Sequence, residues 1–169
     1  MRTIMQLTYG CLLLAGCSFC WGQERASPVD VTLCDLYQHP ELYVGKMVKV
    51  RGTVAGSDWR LDAFTEKPCP TYMRLIVVLP DHVKPAPGFD LVRDKSFKEF
   101  EYAFYRQLRP IHLELTFEGR FDAGFVWRDH ERIKVGQGAE KGYGKKYQYD
   151  GRIVLHKVSD VQATPVSHK

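Results

Sequence analysis

Two cysteines, two histidines and a glycine-rich basic loop are the parts of this sequence whose types and spacing could do chemistry. Cys34 and Cys69 are predicted to form a disulfide; the other readings are two buried free thiols or a metal pair, the last lacking histidines at zinc-finger spacing nearby. Closing a loop of this length is worth about 3 to 4 kcal/mol by the chain-entropy estimate. Cys17-x-x-Cys20 has a redox spacing, but it sits in or beside an apolar leader, without the strand-helix setting such chemistry uses. The six histidines are His39, His82, His112, His130, His156 and His168; no two stand at i and i+4, and His130-Glu131 lacks the second histidine of a zincin. His112 and His156 would meet if the strands carrying them pair. With a nearby carboxylate they would then offer a site for metal-dependent or hydrolytic chemistry, against the ordinary reading of solvated strand histidines.

Nucleophilic hydrolysis has little else to draw on. No G-x-S-x-G occurs, Ser96 reads as a helix cap, and Ser57 falls in a turn. Asp58 and Asp62, or Asp122 and Asp129, are pairs that any domain with 20 acidic residues produces by chance. The loop from Gly136 to Lys146 fails the Walker pattern: Gly138 and Gly144 are one residue too far apart, and Lys146 stands where Ser or Thr would bind magnesium. No pattern calls for a metal or a cofactor. What remains is a set suited to binding: Trp59, Arg60, Tyr72 and Arg74, with Tyr143, Lys145 and Tyr147 from the glycine-rich loop. Stacking rings beside guanidinium and ammonium groups suit sugar rings or a partner peptide; the ordinary reading of the loop is a solvated hairpin.

These residues need a frame, and composition bounds it. The chain has 169 residues, 44% hydrophobic and 26% charged, which suits one folded domain rather than two. The net charge of +4 is far from the clustered basic excess of nucleic-acid binders. Asn is absent, which removes any N-glycosylation sequon. Residues 1–22 read as a secretory signal, because the apolar run after Arg2 is shorter than the roughly 18 residues a membrane span requires. Leu14-Ala15-Gly16-Cys17 resembles a bacterial lipobox, with a lipoprotein signal over 1–16 and a lipid on Cys17. The competing reading is cleavage after Gly22, which leaves Cys34 and Cys69 as an even pair. Either way the expected destination is outside the cytoplasm, periplasmic or membrane-anchored.

Residues 23–30 read as a polar tether with Pro28. Thr32 to Asp35 fits a capping box, opening a short helix that Pro40 ends. Met47 to Val54 alternates with period two and predicts a strand; Trp59 to Phe64 predicts a second. The apolar run Met73 to Leu79 predicts a third, buried on both faces. A proline-rich loop follows. Ser96 to Glu99 then reads as a second capping box, for a helix carrying Phe97, Phe100, Phe104 and Leu108 on one stripe. Ile111 to Glu118 is the cleanest alternation in the chain, expected to bend past Gly119 toward Trp127. Residues 136–151 read as a loop into a last strand over Arg152 to Val158, and 163–169 as a tail.

Three strands, a helix, then two strands is the connectivity of the OB-fold, a five-stranded Greek-key barrel. Cys34-Asp-Leu, Pro40, Tyr43-x-Gly45-Lys, Val48-x-Val50-Arg-Gly52, Gly142-Tyr-Gly144 and a last strand ending Val158-Ser-Asp-Val161 resemble a group of uncharacterised exported bacterial proteins with OB-like domains. The resemblance spans about residues 31–162. It implies the fold, mainly β with a short N-terminal helix and a helix between strands three and four, and no activity. The expectation is a non-catalytic module of the cell envelope that binds a glycan or another envelope protein. The alternatives are a small metal-dependent or hydrolytic enzyme and a nucleic-acid binder, the last disfavoured by export.

Overall fold

The backbone of this chain is mainly β, and the reason is visible in how its alternating segments pair. The computed structural model describes residues 27–55, 61–64, 69, 74–84, 86–106, 111–128, 131–135, 142–144 and 148–165. In chain order the elements are β1 (Val29–Val31), α1 (Leu33–Gln38), β2 (Met47–Ala55), β3 (Leu61–Phe64), β4 (Leu75–Val78), α2 (Lys95–Arg106), β5 (Ile111–Ala123), β6 (Phe125–Arg128), β7 (Glu131–Lys134) and β8 (Gly151–Pro165). Two short 3-10 turns, Pro40–Leu42 and Pro80–His82, each begin at a proline, whose fixed φ suits a helical first position. None of the described helices is long and apolar enough to cross a membrane.

Six strands form one mixed sheet in the order β1-β2-β3-β4-β8-β5, with a further antiparallel pairing of β2 with β5. β4 and β8 run parallel, as do β1 and β2. The alternation in β2 and β5 becomes an inner apolar face. Val48, Val50 and Val54 join Leu113, Leu115, Phe117 and Phe121, with Leu75 and Val77 from β4 and Ile153, Leu155 and Val158 from β8. Phe97, Phe100 and Ala103 of α2 complete this core, so the aromatic stripe packs as its spacing predicts; Leu108 lies outside the described residues. Each Val, Leu, Ile or Phe side chain of this core contributes about 1.5 to 3 kcal/mol by leaving water.

α1 starts as expected. Thr32 Oγ1 accepts from Asp35 N at 3.1 Å and Asp35 Oδ2 accepts from Thr32 N at 2.9 Å, closing the capping box. The hydrogen bonds from Thr32, side chain first and then backbone, hold the Asp35 carboxyl below its usual range. Cys34 in α1 is bonded to Cys69, 35 residues on, with a Cα–Cα distance of 5.4 Å. The predicted staple is thus formed, between α1 and the segment joining β3 to β4.

Several elements depart from expectation. β1 lies partly within the expected tether, because the exposed edge of β2 offers it partners from Val48 to Val50. The cap of α2 is Asp94, whose Oδ1 accepts from Phe97 N at 3.0 Å, so Ser96 sits inside the first turn. β5 runs through Gly119 to Ala123, but Gly124 separates it from β6, which pairs with β7 as an independent two-stranded hairpin. β8 continues to Pro165 because all of β5, as far as Ile111, is available to it. Gly119 is required where these two strands meet at a bulge: a Cβ there would overlap the Val154 carbonyl oxygen and stand 2.8 Å from Ile153 Cγ2.

Candidate functional site

Parallel pairing places the starts of β4 and β8 side by side, since Leu75 stands opposite Gly151. Arg74 and Asp150 therefore meet. The Asp150 and Gly151 amides donate to the Arg74 carbonyl at 2.9 and 3.2 Å. Asp150 Oδ2 accepts in turn from Arg74 N at 3.2 Å and from Arg74 Nε at 3.4 Å. The carboxylate is almost wholly buried, while the guanidinium side chain keeps 45% of its surface in solvent. Asp150 Oδ1 is buried and accepts no hydrogen bond among the described residues. Arg74 is thus held to Asp150 by backbone and side chain, and the outer part of its guanidinium remains in solvent.

The loop ahead of β8 folds onto the same end. Tyr143 and Tyr149 form an isolated antiparallel bridge, their amides and carbonyls bonded reciprocally at 2.8 and 3.2 Å. Gly144 between them has φ 82°, and a Cβ there would stand 2.7 Å from Tyr149 Cδ2, so both the backbone and the ring demand glycine. The two tyrosines and Ile76, with half-buried Val78, make a small apolar cluster on the outer face of the sheet. Ile76 therefore turns away from the main core, and β4 is buried on both faces as its apolar run predicts.

Beside that cluster runs a band of charge. The Arg152 guanidinium carbon lies 4.7 Å from the centre of the Tyr143 ring, and Arg152 Nε donates to Asp122 Oδ2 at 2.9 Å. Arg120 grips the same carboxylate with two bonds, Nε to Oδ1 at 2.8 Å and Nη2 to Oδ2 at 3.0 Å. Asp122 is no chance carboxylate, then: it joins two arginines that are themselves about three-quarters buried. Arg120 and Asp122 share a strand face at i and i+2, a signal present in the sequence. Their partner Arg152 becomes evident only with the register of β5 on β8.

Of the residues expected to bind, Arg74 and Tyr143 are thus brought to one end of the sheet. Trp59, Arg60, Tyr72, Lys145 and Tyr147 lie outside the described residues, as do Cys17, Ser57, Asp58 and Asp129. The expected meeting of His112 with His156 does not occur. Their strands pair, but His112 stands opposite Thr164, eight residues along β8, about 26 Å at the rise of a strand. His156 serves the proline-rich loop instead: its Nδ1 is 2.6 Å from the Asp90 carbonyl oxygen, its ring lies edge-on to Phe89, and its carbonyl accepts from Val92 N. Among the described residues no group of three or more His, Cys, Asp or Glu side chains could hold a metal ion.

Compared with protein-family models, with curated proteins and with solved structures, the chain matches none of them.

Proposed function

We propose that this chain is an exported, non-catalytic binding module of the bacterial cell envelope, built on an OB-type Greek-key barrel, with an envelope glycan or envelope protein as its ligand. The barrel reading rests on the pairings, which run β2–β3–β4–β8–β5 and return to β2 with β4 and β8 parallel and α2 between β4 and β5. One observation carries the binding reading: the anchored, half-exposed Arg74 guanidinium beside the tyrosine-bearing loop that leads into β8. An anchored guanidinium with its outer part in solvent recognises hydroxyl and carbonyl oxygens without needing a nucleophile or a metal. Export rests on the leader, with lipidation at Cys17 or cleavage after Gly22 as its two forms.

Two measurements on the protein expressed from its full gene test this reading. Intact mass of the chain recovered from the envelope fraction is expected to begin at lipidated Cys17 or at Gln23; a chain retaining Met1 in the cytosol would overturn export. Titration of the isotopically labelled protein with soluble peptidoglycan fragments and envelope polysaccharide is expected to shift the Arg74, Tyr143 and Asp150 amides saturably. Turnover of these glycans by the purified protein would contradict the non-catalytic reading.

A further inference from the structure

Asp150, where β8 begins beside β4, is only 1% exposed, yet just one of its two carboxylate oxygens is used. Oδ2 accepts from Arg74 N at 3.2 Å and from Arg74 Nε at 3.4 Å, while Oδ1, equally withdrawn from water, accepts no hydrogen bond among the described residues. A carboxylate oxygen left unpaired away from water is costly, so Oδ1 calls for a donor that the described residues do not supply.

The guanidinium beside it has the complementary lack. Its Nε is engaged by Asp150, but neither Nη makes a hydrogen bond among the described residues, and 45% of the side chain stays in solvent. The Nε bond, at 3.4 Å, is longer than the roughly 2.7 to 2.9 Å usual for a charge-assisted pair. It is therefore weak enough for the guanidinium to turn and admit a small polar group against Oδ1. The amides of Asp150 and Gly151 on the Arg74 carbonyl, and the Arg74 amide on Oδ2, hold the two residues together while it does so.

An acceptor lacking a donor and donors lacking an acceptor thus stand side by side, and that arrangement selects among ligands. A hydroxyl accepts and donates through one oxygen, so a single hydroxyl can accept from Arg74 Nη and donate to Asp150 Oδ1. A peptide group is planar and trans, and it points its N–H and C=O to opposite sides, so one such group does not serve both.

We propose that the ligand at this end is a carbohydrate rather than a peptide, read through neighbouring hydroxyls: one bridges Arg74 Nη and Asp150 Oδ1, and the next accepts from the second Nη. This rests on the reading of the Arg74 end as a binding face and narrows it to its glycan form.

The test is a titration of the isotopically labelled protein with maltotetraose and with the peptide-free disaccharide of peptidoglycan, against N-acetyl-alanyl-alaninamide, which carries amides and no hydroxyl. Saturable shifts of the Arg74 and Asp150 amides are expected with at least one glycan and not with the peptide. Asp150→Asn keeps an oxygen for Arg74 and puts a donor in place of the other acceptor; it is expected to weaken the glycan about tenfold or more, the worth of one hydrogen bond to a carboxylate. Arg74→Lys, a change on a half-exposed side chain that keeps the charge but not the paired Nη donors, is expected to weaken it severalfold, and reads the same pair even where Asp150→Asn disturbs the fold. Saturation by the peptide alone or as tightly as by the glycan, or undiminished glycan binding in Arg74→Lys or in folded Asp150→Asn, would overturn this proposal and leave the Arg74 end a binding face. The absence of any saturable shift would overturn both.

Discussion

The band formed by Arg74, Asp150, Arg120, Asp122 and Arg152 and a groove formed by Asp30, Asp35, Lys49 and Asp160 lie on the same outer surface and use the same residue types. They are built differently. In the band, Asp122 holds two arginines with three bonds of 2.8 to 3.0 Å, and Asp150 is sunk beneath Arg74. In the groove the one pair along β1 and β2 is loose, 3.7 Å between side chains that keep 42% and 83% of their surface. Charge taken out of water must be satisfied by the protein, and there it holds strands together; charge left in water stabilises little.

The largest expected effect breaks the band. Asp122→Ala would leave Arg120 and Arg152 side by side and mostly buried, and is expected to cost about 2 to 3 kcal/mol in urea unfolding. Asp30→Ala in the groove is expected to cost less than about 0.5 kcal/mol; similar losses for the two would erase the contrast. A sharper probe of the band's tyrosine cover is Gly144→Ala, expected to cost about 2 kcal/mol, from the left-handed backbone and the Tyr149 ring 2.7 Å away. Gly45→Ala has the same backbone sign, φ 80°, but meets nothing within 4 Å, so about 1 kcal/mol is expected there.

On the groove side, Thr32→Ala should cost about 1 kcal/mol at neutral pH by removing the α1 cap. Because the folded-state pKa of Asp35 is lowered, its share of stability is present above the unfolded value near 3.9 and is lost as pH falls through the folded value. The difference between wild type and Thr32→Ala is therefore expected to shrink in urea titrations taken below about pH 4. A difference that stayed constant into acid would place the effect elsewhere than at Asp35.

How much of this was legible in the sequence depended on distance along the chain. The inner face was, because Val48 to Val54 and Leu113 to Phe117 announce it by alternation, and the Thr32 box announces α1 with a side-chain bond spanning three residues. The cap of α2 misled, because Asp94 and Ser96 are both cap formers within one turn, and it is the Asp94 carboxylate that takes the Phe97 amide. β1 has three residues and no pattern of its own; its pairing comes from the edge of β2. The site residues needed register. Arg74 meets Asp150 only because β4 and β8 are parallel and in step, and His112 misses His156 only because the antiparallel ladder puts Thr164 opposite it. Arg74 and Tyr143 could be proposed from residue type and Asp122 from its i, i+2 spacing with Arg120, whereas Asp150 as the partner of Arg74 and Arg152 as the partner of Asp122 could not.

Whether the exposed Arg74 end meets a ligand is tested most directly by crosslinking in the cell. A photo-activatable amino acid placed at position 148, on the loop beside Arg74, of the full chain in living bacteria, and in parallel at Tyr102, an exposed position on α2, would report what each touches. The expected result is a discrete adduct from position 148, glycan or protein, recovered in the envelope fraction, missing from position 102 and lost when Arg74→Ala is added. Identical adducts from both positions, none from position 148, or an adduct that survives Arg74→Ala would contradict it.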